Sequence, residues 1–117
     1  MLELKHYIDG DIISPDRIAS QLRTTKKEIS QTLGMAPEAL TRKRRIETPT
    51  VQSLLRVFLE TLNTVKPQTG NSLMAYAWYR SEPIVGFGGR TPAEIVQDGE
   101  ADALRAHILR RLDGGFA

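Results

Sequence analysis

The sequence predicts an all-α protein, and three observations carry that prediction. Four dipeptides, Ser14-Pro15, Ala36-Pro37, Thr48-Pro49 and Thr91-Pro92, put proline directly after a small or hydroxyl residue. Proline at the first helical position loses no hydrogen bond, and a Ser or Thr before it can cap free amides. After Pro49 the apolar residues Val51, Leu54, Leu55, Phe58, Leu59, Leu62 and Val65 recur at three- and four-residue intervals, the spacing of one face of a long central helix. Near the C-terminus Ala101, Leu104, Ile108 and Leu112 make a second apolar seam, with Gly114 and Gly115 placed to end it.

Between these anchors the remaining elements follow in order. The first dozen residues fit a strand, an arm or a frayed helix equally well. On the long helix Arg56 and Glu60 stand at i, i+4, the spacing of a solvated ion pair. "KPQTGN", Lys66 to Asn71, combines proline, glycine and polar residues and reads as a linker, dividing the chain into lobes 1–66 and 67–117. "SLMAYAWYR" then reads as a helix with Leu73–Ala77 and Tyr76–Arg80 as i, i+4 neighbours, followed by the breaker run "SEPIVGFGG".

Composition narrows the function classes. A chain of 117 residues with 40% hydrophobic and 26% charged content is ordinary for a globular protein, and no apolar run approaches the roughly 20 residues of a membrane helix. The N-terminus "MLELKHYIDGDII" lacks the apolar stretch of a signal peptide, so a cytoplasmic protein is expected. With no cysteine and two distant histidines, His6 and His107, there is no thiol nucleophile and no local metal-ligand spacing. No paired carboxylates or activated nucleophile stand out either, so neither an enzyme nor a cofactor is expected. The net charge of +2 is too small to imply nucleic-acid binding by itself; its location matters more.

That location is "TTKKEISQTLGMAPEALTRKRRIET", Thr24 to Thr48, which fits the helix-turn-helix template with Gly34 at the turn. Ile29, Leu33, Met35 and Leu40 then take the packing positions between the two helices, and Ser30 supplies the small residue at their closest approach. With Pro37 opening the second helix, Thr41, Arg42 and Arg45 fall on its outward face, and Lys43 and Arg44 reach flanking phosphates. Lys26, Lys27, Arg17 and Arg23 add to the same electropositive lobe. Arginine suits both tasks, since its fork can take guanine O6 and N7 together and its fixed charge displaces counterions from phosphate. The competing reading is that "RKRR" is a solvated helix face, because four consecutive charges cannot all point one way. Lys43 departs from the template, which wants an apolar residue there.

A different question is raised by "GFGGRTPAEIVQDGE", Gly86 to Glu100. Three glycines ahead of a helix start suggest a phosphate cradle, yet the stretch has neither G-x-x-x-x-G-K-[ST] nor G-x-G-x-x-G between a strand and a helix. Thr91 and Glu94 instead make a capping box that satisfies the helix end internally. The glycines then let the loop turn sharply, and Asp98-Gly99 ends the short helix.

These residues also carry a family resemblance. Trp78, Pro83, "GGRTPAEIV" from Gly88 to Val96, "DGE" at Asp98 to Glu100 and the ending "LDGGFA" together resemble the toxin-binding domain of the Xre/MbcA/ParS antitoxins, over roughly the last third of the chain. That family carries an Xre-like helix-turn-helix ahead of this domain, where the basic segment lies here. The resemblance implies a partner, a RES-domain toxin that consumes NAD, neutralised when the antitoxin covers its active site. It points to Trp78, Pro83, Arg90, Thr91, Pro92, Gly115, Phe116 and Ala117 as toxin-contacting residues, and the expected assembly is a homodimer within a toxin–antitoxin hetero-oligomer bound to operator DNA. From the residues alone Trp78 also suits the core, Phe116 also suits a staple against the helix end, and Arg90 projects from the capped turn as an interface side chain. The alternative function is a stand-alone regulator whose C-terminal lobe dimerises.

Overall fold

The structure is a computed structural model that describes residues 4–114. After a single 3-10 turn, Leu4–His6, strands β1 (Ile8–Asp9) and β2 (Ile12–Ile13) form a two-residue antiparallel hairpin with Ile8 opposite Ile13. Seven helices follow: α1 Pro15–Gln21, α2 Lys26–Thr32, α3 Lys43–Ile46, α4 Pro49–Thr69, α5 Ser72–Ser81, α6 Pro92–Gln97 and α7 Ala101–Gly114. The mainly helical class is as expected, and the hairpin is the one sheet among the described residues.

The proline-led helix starts behave as local chemistry dictates. Ser14 and Thr48 accept hydrogen bonds from the amides of Arg17 and Val51, at 3.2 and 3.3 Å. Ala36, without a hydroxyl, opens only a 3-10 turn, Pro37–Leu40. On α4 the expected stripe faces the core: Val51, Leu55, Phe58, Leu59, Leu62 and Val65 are buried, and Leu54 is half-buried. Phe58 anchors α5, its ring meeting Tyr79 edge-on at 5.0 Å and Tyr76 at 5.8 Å. Arg56 and Glu60 are not among the ion pairs of the described residues.

Two expectations about the elements change. Lys66 to Thr69 is not linker but the last turn of α4; Gly70 closes it by donating to the Lys66 carbonyl at 2.8 Å, and Asn71 caps α5 through the Met74 amide at 2.8 Å. A proline this near a helix end breaks one rung only, while Val65 stays in the core and holds the turn in place. The buried residues of both halves accordingly form one continuous cluster.

The second change concerns the helix expected after Pro37. It is not continuous: Thr41 follows the 3-10 turn, Arg42 is extended at φ −98 and ψ 119, and α3 is four residues long with none buried. Ala39 and Leu40 pin the 3-10 turn to the core, but from Thr41 to Arg45 there is no apolar side chain to bury. A helix this short has too few internal bonds to persist without a packed face. Lys43, the departure from the template, marks where packing is lost.

Gln52 of α4 makes contacts that no periodicity indicates. Its side chain accepts from the Ile13 amide at 2.8 Å and donates to the carbonyls of Ile13 and Ile46, at 3.1 and 2.9 Å. One side chain thereby satisfies the free edge of β2 and the end of α3.

Candidate interaction surfaces

The basic segment is a surface of unneutralised charge. Thr41, Arg42, Lys43, Arg44 and Arg45 are all exposed, and the four cations join no ion pair among the described residues. Glu38 and Arg42 to Arg45 line an open concavity of about 720 Å³. Because Arg42 is extended and α3 is short, the cations surround this hollow instead of forming a ridge along one helix. Of the two lysines expected to join them, Lys27 is exposed, whereas Lys26 bonds Asp16 at 3.0 Å. Of the residues expected to pack the two helices together, Ile29, Ser30, Leu33 and Leu40 are buried, and Met35 is partly buried against the core.

The glycine-rich stretch is a closed loop. Ile84 donates to the Arg90 carbonyl at 2.9 Å, tying its ends together, and Gly86, Gly88 and Gly89 all lie at left-handed φ of 90, 69 and 79. A Cβ at any of the three would meet open space, so the backbone angle is what requires glycine there. The capping box forms as expected: the Glu94 amide donates to Thr91 Oγ1 at 3.2 Å, and the Thr91 amide donates to Glu94 Oε1 at 2.9 Å.

Arg90 does not project. Its Nε donates to the Phe87 carbonyl at 2.9 Å, Nη1 bonds Asp98 at 2.9 Å and Glu100 at 2.7 Å, and Nη2 reaches Glu100 at 3.2 Å. The bonds from Arg90 hold the Glu100 carboxyl below its ordinary range, and those from Glu100 and Asp98 raise the guanidinium further. One cation facing two carboxylates leaves the loop with no positive charge to offer a phosphate. The element before the loop is α5, not a strand.

Other residues implied by the resemblance divide by burial. Pro83 is exposed and Thr91 half-buried, while Pro92, at the start of α6, is fully buried. Trp78 packs half-buried against the core, and the wholly buried aromatic of α5 is Tyr79. Gly115, Phe116 and Ala117, which the resemblance also implies, lie outside the described residues. The residue that sequence reasoning passed over is Val85, which stands 85% exposed on the loop. Its place in a breaker run was the available signal. Behind the loop, Phe87 meets His107 of α7 edge-on at 5.5 Å. Among the described residues His107 Nε2 is buried without a hydrogen-bond partner, and burial, then Arg111 and Arg110, holds this imidazole below its ordinary value.

The two surfaces are joined by a polar junction. Glu28 of α2 accepts from Tyr76 of α5 at 2.8 Å and from Thr24, and pairs with Arg80 at 3.8 Å. The bonds from Thr24 and then Tyr76 lower its carboxyl pKa, while burial raises that of the Tyr76 hydroxyl. Arg80 lies over the Tyr76 ring at 4.5 Å, as their i, i+4 spacing suggested. Gln97 of α6 donates to the Thr32 carbonyl at 2.7 Å, and a Cβ on Gly34 would sit 2.9 Å from Gln97 Cγ.

No group of three or more His, Cys, Asp or Glu among the described residues could hold a metal ion, and no helix there is long and apolar enough to cross a membrane. No family model matches the chain, and no curated protein or solved structure matches it.

Proposed function

We propose that the chain is the antitoxin of a type II toxin–antitoxin pair of the Xre/MbcA/ParS kind. Its C-terminal half covers the active site of an NAD-consuming RES-domain toxin, and its basic segment represses its own operon by binding operator DNA. The proposed assembly is a homodimer within the toxin–antitoxin complex. What supports the toxin-binding half is the ordered set of motifs from Trp78 to Glu100 together with the architecture of the loop they encode.

The observation that carries the reading is Val85. A loop closed end to end, shaped by three left-handed glycines and clamped by Arg90, holds an apolar side chain out in water at 85% exposure. Rigid display lowers the entropy lost on docking, which is how a small contact residue gains weight in an interface. Neutralisation by surface complementarity needs no bond chemistry from this chain. DNA contact falls to Arg42, Lys43, Arg44 and Arg45, whose charges, unpaired among the described residues, favour phosphate binding.

Co-expression tests the reading. The wild-type chain should rescue growth from its partner RES-domain toxin, and Val85→Asp should weaken rescue while leaving the circular dichroism unchanged. Absence of rescue by the wild type refutes the antitoxin reading, and full rescue by Val85→Asp moves the contact off this loop.

A further inference from the structure

Eight described residues hold a positive φ between strands and helices, and seven of them are glycine. The eighth is Arg23, at φ 54. It follows the C-cap residue Leu22 of α1, and the backbone there closes twice: the Arg23 amide donates to the Ser20 carbonyl at 3.3 Å and the Thr24 amide to the Ala19 carbonyl at 2.9 Å. This is a complete Schellman closure, and its left-handed position is one that glycine ordinarily fills. Any Cβ at that position crowds its own backbone.

The arginine side chain returns nothing to the fold. It is exposed, and its guanidinium takes part in no hydrogen bond, ion pair or ring contact among the described residues. Its neighbours differ: Arg17 pairs with Asp9, and Lys26 with Asp16. Seven glycines show that the chain places glycine where left-handed backbone is needed. An arginine kept at the eighth such place, without an internal partner, points to a partner outside the chain.

The turn that carries Arg23 leads into α2, at whose start Lys27 is also exposed. In the helix-turn-helix arrangement the first helix of the pair crosses the nucleic-acid backbone. A planar, permanently charged fork with five donors matches phosphate oxygens. We infer that Arg23 is a phosphate-contacting residue of the nucleic-acid surface, set at a strained position to present its guanidinium beside the start of α2. This inference rests on the DNA-binding half of the function proposed above.

The test compares the wild type with Arg23→Gly, Arg23→Asn and Arg23→Lys, using thermal unfolding and binding to a short mixed-sequence DNA duplex over a range of salt. Arg23→Gly should raise Tm by about 2–6 °C, because it relieves the backbone. It should also weaken binding at low salt by about 3- to 10-fold and reduce the slope of log affinity against log salt by about 0.9. Arg23→Asn, which tolerates left-handed backbone without the charge, should lose binding equally, whereas Arg23→Lys should keep most of it. If the Gly and Asn variants bind as the wild type does, or if Arg23→Gly lowers Tm, Arg23 serves the fold and the inference is overturned. A wild-type chain with no salt-dependent DNA binding overturns the DNA-binding reading itself, and the role of Arg23 falls with it.

Discussion

Removing one hydroxyl from each of two tyrosines on α5 should have different effects on stability. Tyr76 and Tyr79 are both buried, and both rings meet Phe58 edge-on, so replacement by phenylalanine leaves the packing of either ring intact. Their hydroxyls differ. That of Tyr76 donates to Glu28 at 2.8 Å with Thr32 Oγ1 at 3.3 Å, whereas that of Tyr79 is buried with no partner among the described residues. A hydrogen bond to a charged group contributes about 1.5–3 kcal/mol, and the half-exposed Glu28 places this one near the lower end, about 1.5 kcal/mol. For 117 residues that corresponds to a fall in Tm of roughly 4–8 °C for Tyr76→Phe. Tyr79→Phe removes an unsatisfied buried hydroxyl and should be neutral or stabilising by about 1 kcal/mol. Urea and thermal unfolding followed by far-UV circular dichroism would measure both. A loss of stability in Tyr79→Phe matching that in Tyr76→Phe would show that the Tyr79 hydroxyl is bonded, and a Tyr76→Phe variant as stable as the wild type would refute the assignment of the junction to Glu28 and Tyr76.

Other consequences concern the loop and its support. Arg90→Gln should speed amide exchange at Ile84 and Phe87 while α4 keeps its protection; unchanged exchange at those two amides would show that the loop closes without the clamp. His107 should give stability a neutral-range pH dependence. Its folded pKa lies below the ordinary value of 6.5, so the unfolded chain binds the proton first. The contribution is complete above that value and is lost as pH falls through it towards the folded value. Unfolding free energies from about pH 8 to about pH 5 should therefore fall more steeply for the wild type than for His107→Gln, and equal slopes would place the effect elsewhere. Glu28 and Glu100 have lowered carboxyl values, so their contributions are lost only in more acid solution and leave this window clear.

What was legible in the sequence is what short-range chemistry decides. A proline after a hydroxyl residue, a Thr91–Glu94 capping box and an apolar stripe on α4 act within one or two turns, and each is present as expected. Contacts that join distant residues left no such trace. Glu28 and Tyr76 are 48 positions apart, Gln97 and Thr32 are 65, and Gln52 and Ile13 are 39. The helix expected over Thr41 to Arg45 failed for a related reason: local propensity allows it, but no core surface waits for its side chains. Lys66 to Asn71 misled in the opposite direction, because a proline and a glycine mark a linker only when they stand outside the helix they follow.

Gly34 shows why the two proposed surfaces are not separable by cutting the chain near residue 66. At φ 71 its backbone requires glycine, and Gln97 of α6 fills the space where a Cβ would stand. The same Gln97 bonds the Thr32 carbonyl that ends α2, and it precedes Asp98, one of the two carboxylates that clamp Arg90. The turn of the proposed DNA-binding unit is thus built partly from the helix that follows the proposed toxin-binding loop. Residues 1–66 alone would lose that support, lose the partners Tyr76 and Arg80 of Glu28, and expose the face of Phe58 that Tyr76 and Tyr79 cover. The connection at Gly70 and Asn71 joins two helices of one core. Truncation at that connection would therefore remove stability along with any binding surface, which is why the tests above use single substitutions in the full chain.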